Sequence, residues 1–230
     1  MSNDEFKREA ANAAVERYVE SGMVVGLWTG STATFAVRRI GELVASGELR
    51  DLSGVPTSAK TTALANELGI PLATLSEVRP HLTIDGTDEV SPDLALIKGR
   101  GGALLREKIV ASSSEEGLIV FADSTKRVDI LGSGPLPVEI DTFGWEVTLE
   151  ALASLGCEPE LRMDWTDQGR PFVTDGGHYT ADCKFDSIPD PASLEIEIKK
   201  TPGALESGLF VSIARVAIIA GEDGTQSIEA

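Results

Sequence analysis

The first half of the chain alternates short apolar runs with amphipathic helical patterns, and this alternation constrains the fold more than any other feature. Helical spacing over residues 6–19 is followed by the apolar run 23–28, and the same succession returns as far as the run 117–122. Strands separated by helices indicate a mostly parallel sheet that is covered on both faces. We therefore predict an α/β domain whose ligands bind beyond the carboxyl ends of its strands.

The same patterns give approximate bounds for the individual elements. Helical spacing predicts helices over residues 6–19, 34–45, 59–68 and 103–111. Apolar runs predict strands over residues 23–28, 81–85, 94–98 and 117–122.

The character of the sequence changes after Leu131, where residues 132–137 form a turn-rich joint. Beyond it, a small α+β unit is indicated by strand segments at 136–140, 158–163, 172–175 and 179–185 and by helices near 144–155 and 192–200. The apolar strand candidates 206–212 and 215–220 are expected to rejoin the first sheet or bridge to it. We assign residues 1–131 plus 208–230 to the first domain and residues 132–207 to the second.

The composition argues against several classes of protein. The 37 acidic and 20 basic residues give a formal charge of −17 that is spread along the chain, and such a field disfavours nucleic acid as a partner. No apolar run approaches the ~20 residues needed to cross a membrane, and the charged start is unlike a signal peptide. We therefore expect a cytoplasmic protein without membrane association. The acidity either serves solubility or indicates a halophilic, salt-rich cytoplasm that screens self-repulsion.

Cysteine and histidine are too sparse to indicate a zinc site. Cys157 and Cys183 are predicted to be structural thiols, because a cytoplasmic chain without a C-x-x-C pair seldom keeps a disulfide. The only histidines are His81 and His178, and His178 is predicted to be a turn residue because it follows two glycines.

Two carboxylates follow the strand predicted at 81–85. Asp85 and Asp88 could shuttle protons between the oxygens of a polyol, form a solvated turn, or bind a hard cation. No neighbouring segment supplies further ligands at a recognisable spacing, so we predict no metal.

A lysine, a glycine loop and a glutamate come next in the sequence. Lys98 ends an apolar run, and Gly99-Arg100-Gly101 with Gly102 opens the following helix, which is a natural anion site. Glu107 in that helix is either salt-bridged to its basic neighbours, or a base beside Lys98, which would stabilise oxyanion charge.

Hydroxyl-rich segments follow two other strands. Thr29-Gly30-Ser31-Thr32 could bind phosphate at a helix start or simply cap that helix, since it matches neither a P-loop nor a dinucleotide fingerprint. Residues 57–58 are also rich in hydroxyl groups after a strand, and they too could either bind a ligand or simply cap a helix. Lys126 ends a further strand and could either join this cleft or lie on the surface.

Taken together, these segments resemble type A ribose-5-phosphate isomerases, and the resemblance runs nearly end to end. Five blocks of the sequence carry it: Lys7, residues 26–32, residues 84–89, residues 98–108, and residues 122–126 with 135–139.

The resemblance implies a Rossmann-like, mostly parallel sheet domain with an inserted smaller α+β, ferredoxin-like domain. It implies interconversion of ribose 5-phosphate and ribulose 5-phosphate through a cis-enediol(ate), in the non-oxidative pentose phosphate pathway, without a cofactor. Glu107 would be the base, Lys98 would stabilise the enediolate, and Asp85 would move protons between sugar oxygens. The substrate, a small pentose 5-phosphate, would be bound by Thr29, Gly30, Ser31, Thr32, Asp85, Gly86, Thr87, Asp88, Lys98, Gly99, Arg100, Gly101, Lys126 and Lys7. Members of the family are homodimers or homotetramers.

Several positions depart from the family pattern. Trp28 and Arg100 stand where glycine is usual, Thr87 stands where alanine is usual, and residues 173–178 lack an Asn-rich turn. Arg100 either reinforces phosphate binding or pairs with an acid.

Two other functions remain open on the sequence alone. One alternative is a non-catalytic sugar-phosphate-sensing domain, although the chain offers no basic helix for an attached DNA-binding module. The second alternative is a related enzyme, such as an amino-sugar-phosphate deaminase or a coenzyme A transferase.

Overall fold

The computed structural model describes residues 2–28, 30–167 and 169–229, and its largest sheet has six strands. In spatial order these are β13 (Gly224–Glu229), β12 (Ala214–Gly221), β6 (Leu118–Asp123), β3 (Leu82–Gly86), β1 (Val24–Leu27) and β2 (Ser53–Pro56). Every neighbouring pair from β2 to β12 is parallel, and β13 runs antiparallel to β12. The predicted α/β fold with a mostly parallel central sheet is confirmed.

Four helices accompany this sheet within the described residues: α1 (Asn3–Tyr18), α2 (Ala33–Ser46), α3 (Ala59–Glu67) and α4 (Leu104–Ser112). A capping box between Ser2 and Glu5 starts α1, because each residue satisfies a free amide of the other. Gly47, which adopts a left-handed conformation, ends α2. All four helices were predicted, with bounds that differ by at most three residues.

A second sheet is antiparallel and lies in the region predicted to be an α+β unit. Its order is β10 (Ala204–Ser207), β7 (Leu136–Ile140), β9 (Tyr179–Lys184) and β8 (Glu158–Leu161), and α5 (Trp145–Ala153) and α6 (Pro191–Lys200) are its helices. These elements share a separate apolar core, which includes Leu136, Val138, Leu152 and Ile198. The proposed domain bounds at residues 132 and 207 stay a prediction.

A third, small sheet corrects two strand predictions. The run 94–98 contains only β5 (Leu96–Ile97), which pairs antiparallel with β4 (Glu89–Val90) and β11 (Leu209–Phe210) and does not enter the central sheet. The left-handed backbone of Leu94 and Gly99, with φ of 61° and 107°, ends the extended run on both sides.

The candidate at 206–212 was wrong as a single strand, because it divides between two sheets. Residues up to Ser207 belong to β10, and Leu209–Phe210 form β11. Gly208 lies at the division, where an added Cβ would come within 2.1 Å of the Lys98 carbonyl oxygen. The candidate at 215–220 is confirmed as β12, which joins the central sheet.

The strand segment predicted at 172–175 was also wrong. These residues form no regular strand, because a turn in which the Thr174 amide donates to the His178 carbonyl at 2.9 Å interrupts them. His178 is therefore a turn residue, as predicted.

Cys157 and Cys183 are buried free thiols, as predicted. None of the helices in the described ranges is long and apolar enough to cross a membrane.

Candidate active site

A cavity of about 470 Å³ lies beyond the carboxyl ends of β1 and β3, where the parallel sheet predicts a ligand site. The predicted site residues that line it are Gly30, Ser31, Thr32, Asp85, Gly86, Thr87, Asp88, Lys98, Gly99, Arg100, Gly101 and Glu107. Thr29, which was also predicted, lies outside the described residues.

Asp85 and Lys98 form a buried ion pair at the centre of this cavity. Asp85 is the last residue but one of β3 and has 2% of its surface exposed, and Lys98 follows β5 with 3% exposed. The Lys98 ammonium donates to the Asp85 carboxylate and to the Gly86 carbonyl. The same ammonium lies 4.8 Å from the ring centroid of Trp28, a contact that favours a cation.

Glu107 lies in the first turn of α4 and is 2% exposed. Among the described residues, none forms a hydrogen bond with its carboxylate, so its oxygens are available to a ligand. Burial, followed by the charge of Asp85, raises the pKa of Glu107 well above its ordinary value. The alternative that Glu107 is salt-bridged to its basic neighbours is not met in the described structure: Arg106 pairs with Asp175, and Lys108 pairs with Glu195 and Glu206.

Burial also sets the ionisation of the Asp85–Lys98 pair. It raises the pKa of Asp85 to about 7, against the opposing effects of Lys98 and of the Gly86 amide. For Lys98, burial works against the ammonium, but the negative charges of Asp85 and Glu107 outweigh it and the pKa is raised. Lys98 therefore stays protonated and faces two carboxylates whose proton affinity is high.

The glycine loop connects Lys98 to α4, as predicted. Gly99 and Gly102 have φ of 107° and 78°, a conformation that favours glycine. A Cβ added to Gly102 would lie 2.4 Å from the Phe172 ring. The amide of Arg100 donates to Asp88 at 3.2 Å, and the Arg100 guanidinium lies 3.8 Å from the same carboxylate. Arg100 thus pairs with an acid at the cavity wall, one of the two roles that were left open for it.

Gly30, Ser31 and Thr32 connect β1 to α2 and border the cavity at its helix start. Thr32 occupies the N-cap position, but its side chain does not cap the helix. Gly86 allows the close approach of β3, since its added Cβ would come within 2.9 Å of Thr32. This loop can therefore present amides and hydroxyls to an anion.

Three of the predicted substrate-binding residues either lie away from the cavity or have a side chain that bonds elsewhere in the protein. Lys7 pairs with Asp4 on α1 at 2.9 Å, and Lys126 lies in a short 3-10 turn after β6; neither borders the cavity. The Thr87 hydroxyl donates to the carbonyls of Glu89 and Ile97, so it holds the β4–β5 turn. The contacts of Lys7, Lys126 and Thr87 with substrate stay predictions.

Several residues of the cavity wall were not among the predicted catalytic or substrate-binding residues. They are Ala33, Ser58, Lys60, Gly102, Ala103, Trp165, Phe172, Val173 and Asp175. Ser58 had a signal, because its hydroxyl-rich segment follows β2. Trp165, Phe172 and Asp175 come from the region of the antiparallel sheet, and no local pattern marks them as neighbours of Glu107.

The arrangement is suited to moving a proton next to a carbonyl group. A carboxylate of raised pKa can accept a carbon-bound proton, and a buried ammonium can stabilise the oxyanion that results. In the described part of the chain, no group of three or more His, Cys, Asp or Glu residues is arranged to hold a metal ion.

Comparisons with known proteins agree on one family. Residues 53–224 match the family described as ribose 5-phosphate isomerase A (phosphoriboisomerase A). The ribose-5-phosphate isomerase A of Gloeobacter violaceus is 55% identical over 98% of this chain and 96% of its own, and that of Roseiflexus castenholzii is 49% identical over 100% and 97%.

Solved structures are similar over the same length. A D-ribose-5-phosphate isomerase in complex with phospho-erythronic acid superposes with a TM-score of 0.96 and 39% identity, covering 100% of both chains. The ribose 5-phosphate isomerase of Plasmodium falciparum superposes with a TM-score of 0.93 and 42% identity, covering 99% of both. None of these relatives supports the alternative of a non-catalytic sensor.

Proposed function

This chain belongs to the ribose-5-phosphate isomerase A family, and we propose that Glu107, Lys98 and Asp85 carry out its reaction. The protein is an aldose–ketose isomerase that interconverts ribose 5-phosphate and ribulose 5-phosphate. The observation that carries the assignment of roles is the meeting of three buried ionisable groups in one cavity.

Glu107 is the base that transfers a proton between C1 and C2. Its carboxylate is buried, free of hydrogen bonds to the described residues and raised in pKa, so it binds a proton more readily than an exposed glutamate. Proton loss next to a carbonyl produces a cis-enediolate, and a base held beside the carbon avoids the cost of bringing the two together from solution.

Lys98 stabilises the enediolate oxygen. Its ammonium is fixed by Asp85, by the Gly86 carbonyl and by the ring of Trp28, so little reorganisation is needed when charge develops. Asp85, whose pKa of about 7 allows both protonation states near neutral pH, moves protons between the sugar oxygens.

The phosphate and hydroxyl groups of the substrate are held by the loops around this centre. The start of α2, with Gly30, Ser31 and Thr32, and the Gly99-Arg100-Gly101 loop supply amides, hydroxyls and a guanidinium to the cavity. We assign Lys7 and Lys126 to substrate binding on the resemblance alone. The chemistry requires no cofactor.

A direct assay tests the assignment of the base. Purified protein is incubated with ribose 5-phosphate and EDTA at low and high salt, and ribulose 5-phosphate is measured for the parent and for Glu107→Gln. We expect EDTA-insensitive turnover by the parent and a loss of kcat of at least about 10³-fold in the variant, because its amide cannot accept the proton. Full activity in Glu107→Gln would remove this residue as the base.

We also propose that the enzyme is a cytoplasmic homodimer or homotetramer. The resemblance carries the proposal, and the exposure of Phe143 at 90% and Val147 at 67% supports it, since exposed apolar side chains favour association. Sedimentation equilibrium at low and high salt measures the state, and a monomer under all conditions would contradict it.

A further inference from the structure

Arg162 is a buried arginine that follows β8 and is 7% exposed. Its guanidinium makes a two-point contact with Asp182 on β9: Nε donates to Oδ2 at 2.8 Å, and Nη2 donates to Oδ1. This bidentate geometry leaves the remaining terminal nitrogen, Nη1, with a fixed direction.

Nη1 reaches from the antiparallel sheet to the glycine loop. It donates to the Gly99 carbonyl at 3.0 Å and to the Arg100 carbonyl at 3.2 Å. The Gly99 carbonyl also accepts the Gly102 amide at 3.0 Å. One side chain therefore anchors two consecutive peptide groups between Lys98 and α4.

The direction of these carbonyls sets the direction of the next amides. In a trans peptide group the carbonyl and the amide point in opposite directions. With the Gly99 carbonyl turned to Arg162, the Arg100 amide points to Asp88, to which it donates at 3.2 Å. With the Arg100 carbonyl held in the same way, the amide of Gly101 is turned away from Arg162, and Gly101 lines the cavity.

We propose that Arg162 is a positioning residue for substrate binding, because it holds the glycine loop with its amides turned to the cavity and to Asp88. The inference rests on the function proposed above and deepens it. It gives the second sheet a role in the reaction, since the ion pair that anchors the loop joins the residue directly after β8 to Asp182 on β9.

The expected effect is on binding more than on the chemical step. Without the guanidinium, two carbonyls lose a charged donor and the loop samples other conformations. Substrate must then order the loop as it binds, and its apparent affinity falls by the fraction of molecules in the competent state. Glu107 and Lys98 keep their own contacts, so the bound complex still reacts.

The test compares Arg162→Met, Arg162→Lys and Asp182→Asn with the parent. We measure kcat and KM for ribose 5-phosphate, and by calorimetry the Kd of phospho-erythronic acid, which needs no turnover. In Arg162→Met we expect KM and Kd to rise about tenfold, with kcat within about threefold of the parent. For Arg162→Lys we expect KM and Kd values between those of the parent and those of Arg162→Met, since an ammonium cannot hold both Asp182 and two carbonyls.

Asp182→Asn is an intermediate variant, because its side chain keeps one acceptor oxygen for the guanidinium but presents an N–H₂ group where the carboxylate has its second acceptor. Its Kd should rise by less than that of Arg162→Met, because Nη1 can still reach the loop but is held less firmly. A larger loss in Asp182→Asn than in Arg162→Met would overturn the proposal, since the ion pair and not the loop contact would then matter. An unchanged Kd in Arg162→Met would also overturn the proposal. Should that variant fail to fold, an unchanged Kd in Arg162→Lys would do so. An inactive parent that still binds phospho-erythronic acid would contradict the catalytic roles alone.

Discussion

At the scale of single residues, the charge of Asp85 acts on Glu107 across the cavity. The ionised form of Glu107 is the active base, so kcat/KM should fall as the pH drops through its pKa. Burial and then Asp85 raise that pKa, and the acid limb of the profile should therefore begin well above the range of an ordinary glutamate.

Replacing Asp85 tests this coupling. Asp85→Asn removes a negative charge that opposes ionisation of Glu107, so the pKa of Glu107 should fall and the acid limb of kcat/KM should move to lower pH. The maximum activity should also fall, because Asp85 moves protons. Asp88→Asn is the control, since Asp88 raises the same pKa more weakly and should give a smaller shift in the same direction. An acid limb that stays in place or moves to higher pH in Asp85→Asn would contradict the coupling.

Trp28 and Arg100, which the sequence analysis noted as departures from the family pattern, make contacts near the catalytic groups. Trp28, which is 1% exposed, packs against Phe210 at a centroid distance of 5.9 Å and contacts the Lys98 ammonium. Arg100 reaches Asp88 at the cavity wall. Both large side chains lie beside groups that were predicted to touch substrate, because Trp28 contacts Lys98 and Arg100 contacts Asp88.

At the scale of elements, the segment 172–175 crosses from the antiparallel sheet to the helices of the catalytic cavity. Asp175 accepts the Ala59 amide at the start of α3 at 2.7 Å, and its backbone carbonyl accepts from Arg106 on α4 at 2.8 Å. A carboxylate at a helix start is favoured by the free amides there. Asp175 therefore closes one side of the cavity.

Asp175→Ala should release this segment. We expect KM to rise about threefold to tenfold with a smaller change in kcat, because the cavity wall must be re-formed when substrate binds. Stability should fall by about 1–2 kcal/mol, since the variant loses the hydrogen bond from the Ala59 amide together with a solvent-exposed ion pair to Arg106. Asp167→Ala is the matched control, because it removes an exposed acid of the neighbouring loop that pairs with Arg170 and does not line the cavity. Equal KM values in the two variants would count against a role for the segment.

The sequence predicted elements whose own residues determine them. The buried strands β1 and β6 are largely apolar runs, β3 carries the apolar residues Leu82 and Ile84, and the helices of the first half have clear spacing, so these elements were found. Asp85, Lys98 and Glu107 were found because they lie close together in the chain at the ends of such elements. Polar β13 gave no apolar signal, since it is an edge strand with most of its residues exposed. The division of 206–212 between two sheets depends on tertiary pairing.

The residues that the sequence could not supply reach the site from far along the chain. Arg162 and Asp175 lie 63 and 69 positions from their partners Gly99 and Arg106. Nothing in their local sequence distinguishes them from exposed charges, because their role depends on how the antiparallel sheet packs against the glycine loop.

At the scale of the whole molecule, the net charge of −17 should make stability depend on salt. Like charges spread over one compact surface repel each other, and unfolding relieves this repulsion. The screening length falls from about 10 Å at 0.1 M to about 3 Å at 1 M ionic strength. We therefore expect the melting temperature to rise from low to molar KCl, and a gain of about 2 kcal/mol would correspond to about 4–8 °C.

A charge-reduced variant separates self-repulsion from other effects of salt. Glu20, Asp186 and Glu222 are exposed, and within the described residues their carboxylates form no ion pair, so replacing each by lysine changes the net charge by two units without breaking a contact. The triple variant should melt higher than the parent in low salt and gain less from added KCl, because less repulsion remains to be screened. Calorimetry measures the melting temperature of the parent and of the triple variant over the same series of KCl concentrations. The slope of melting temperature against KCl concentration is then compared between the two proteins. Maximal stability of the parent at low salt would contradict adaptation to a salt-rich cytoplasm. If the melting temperatures of parent and variant rise equally with KCl, the salt effect has a cause other than net charge.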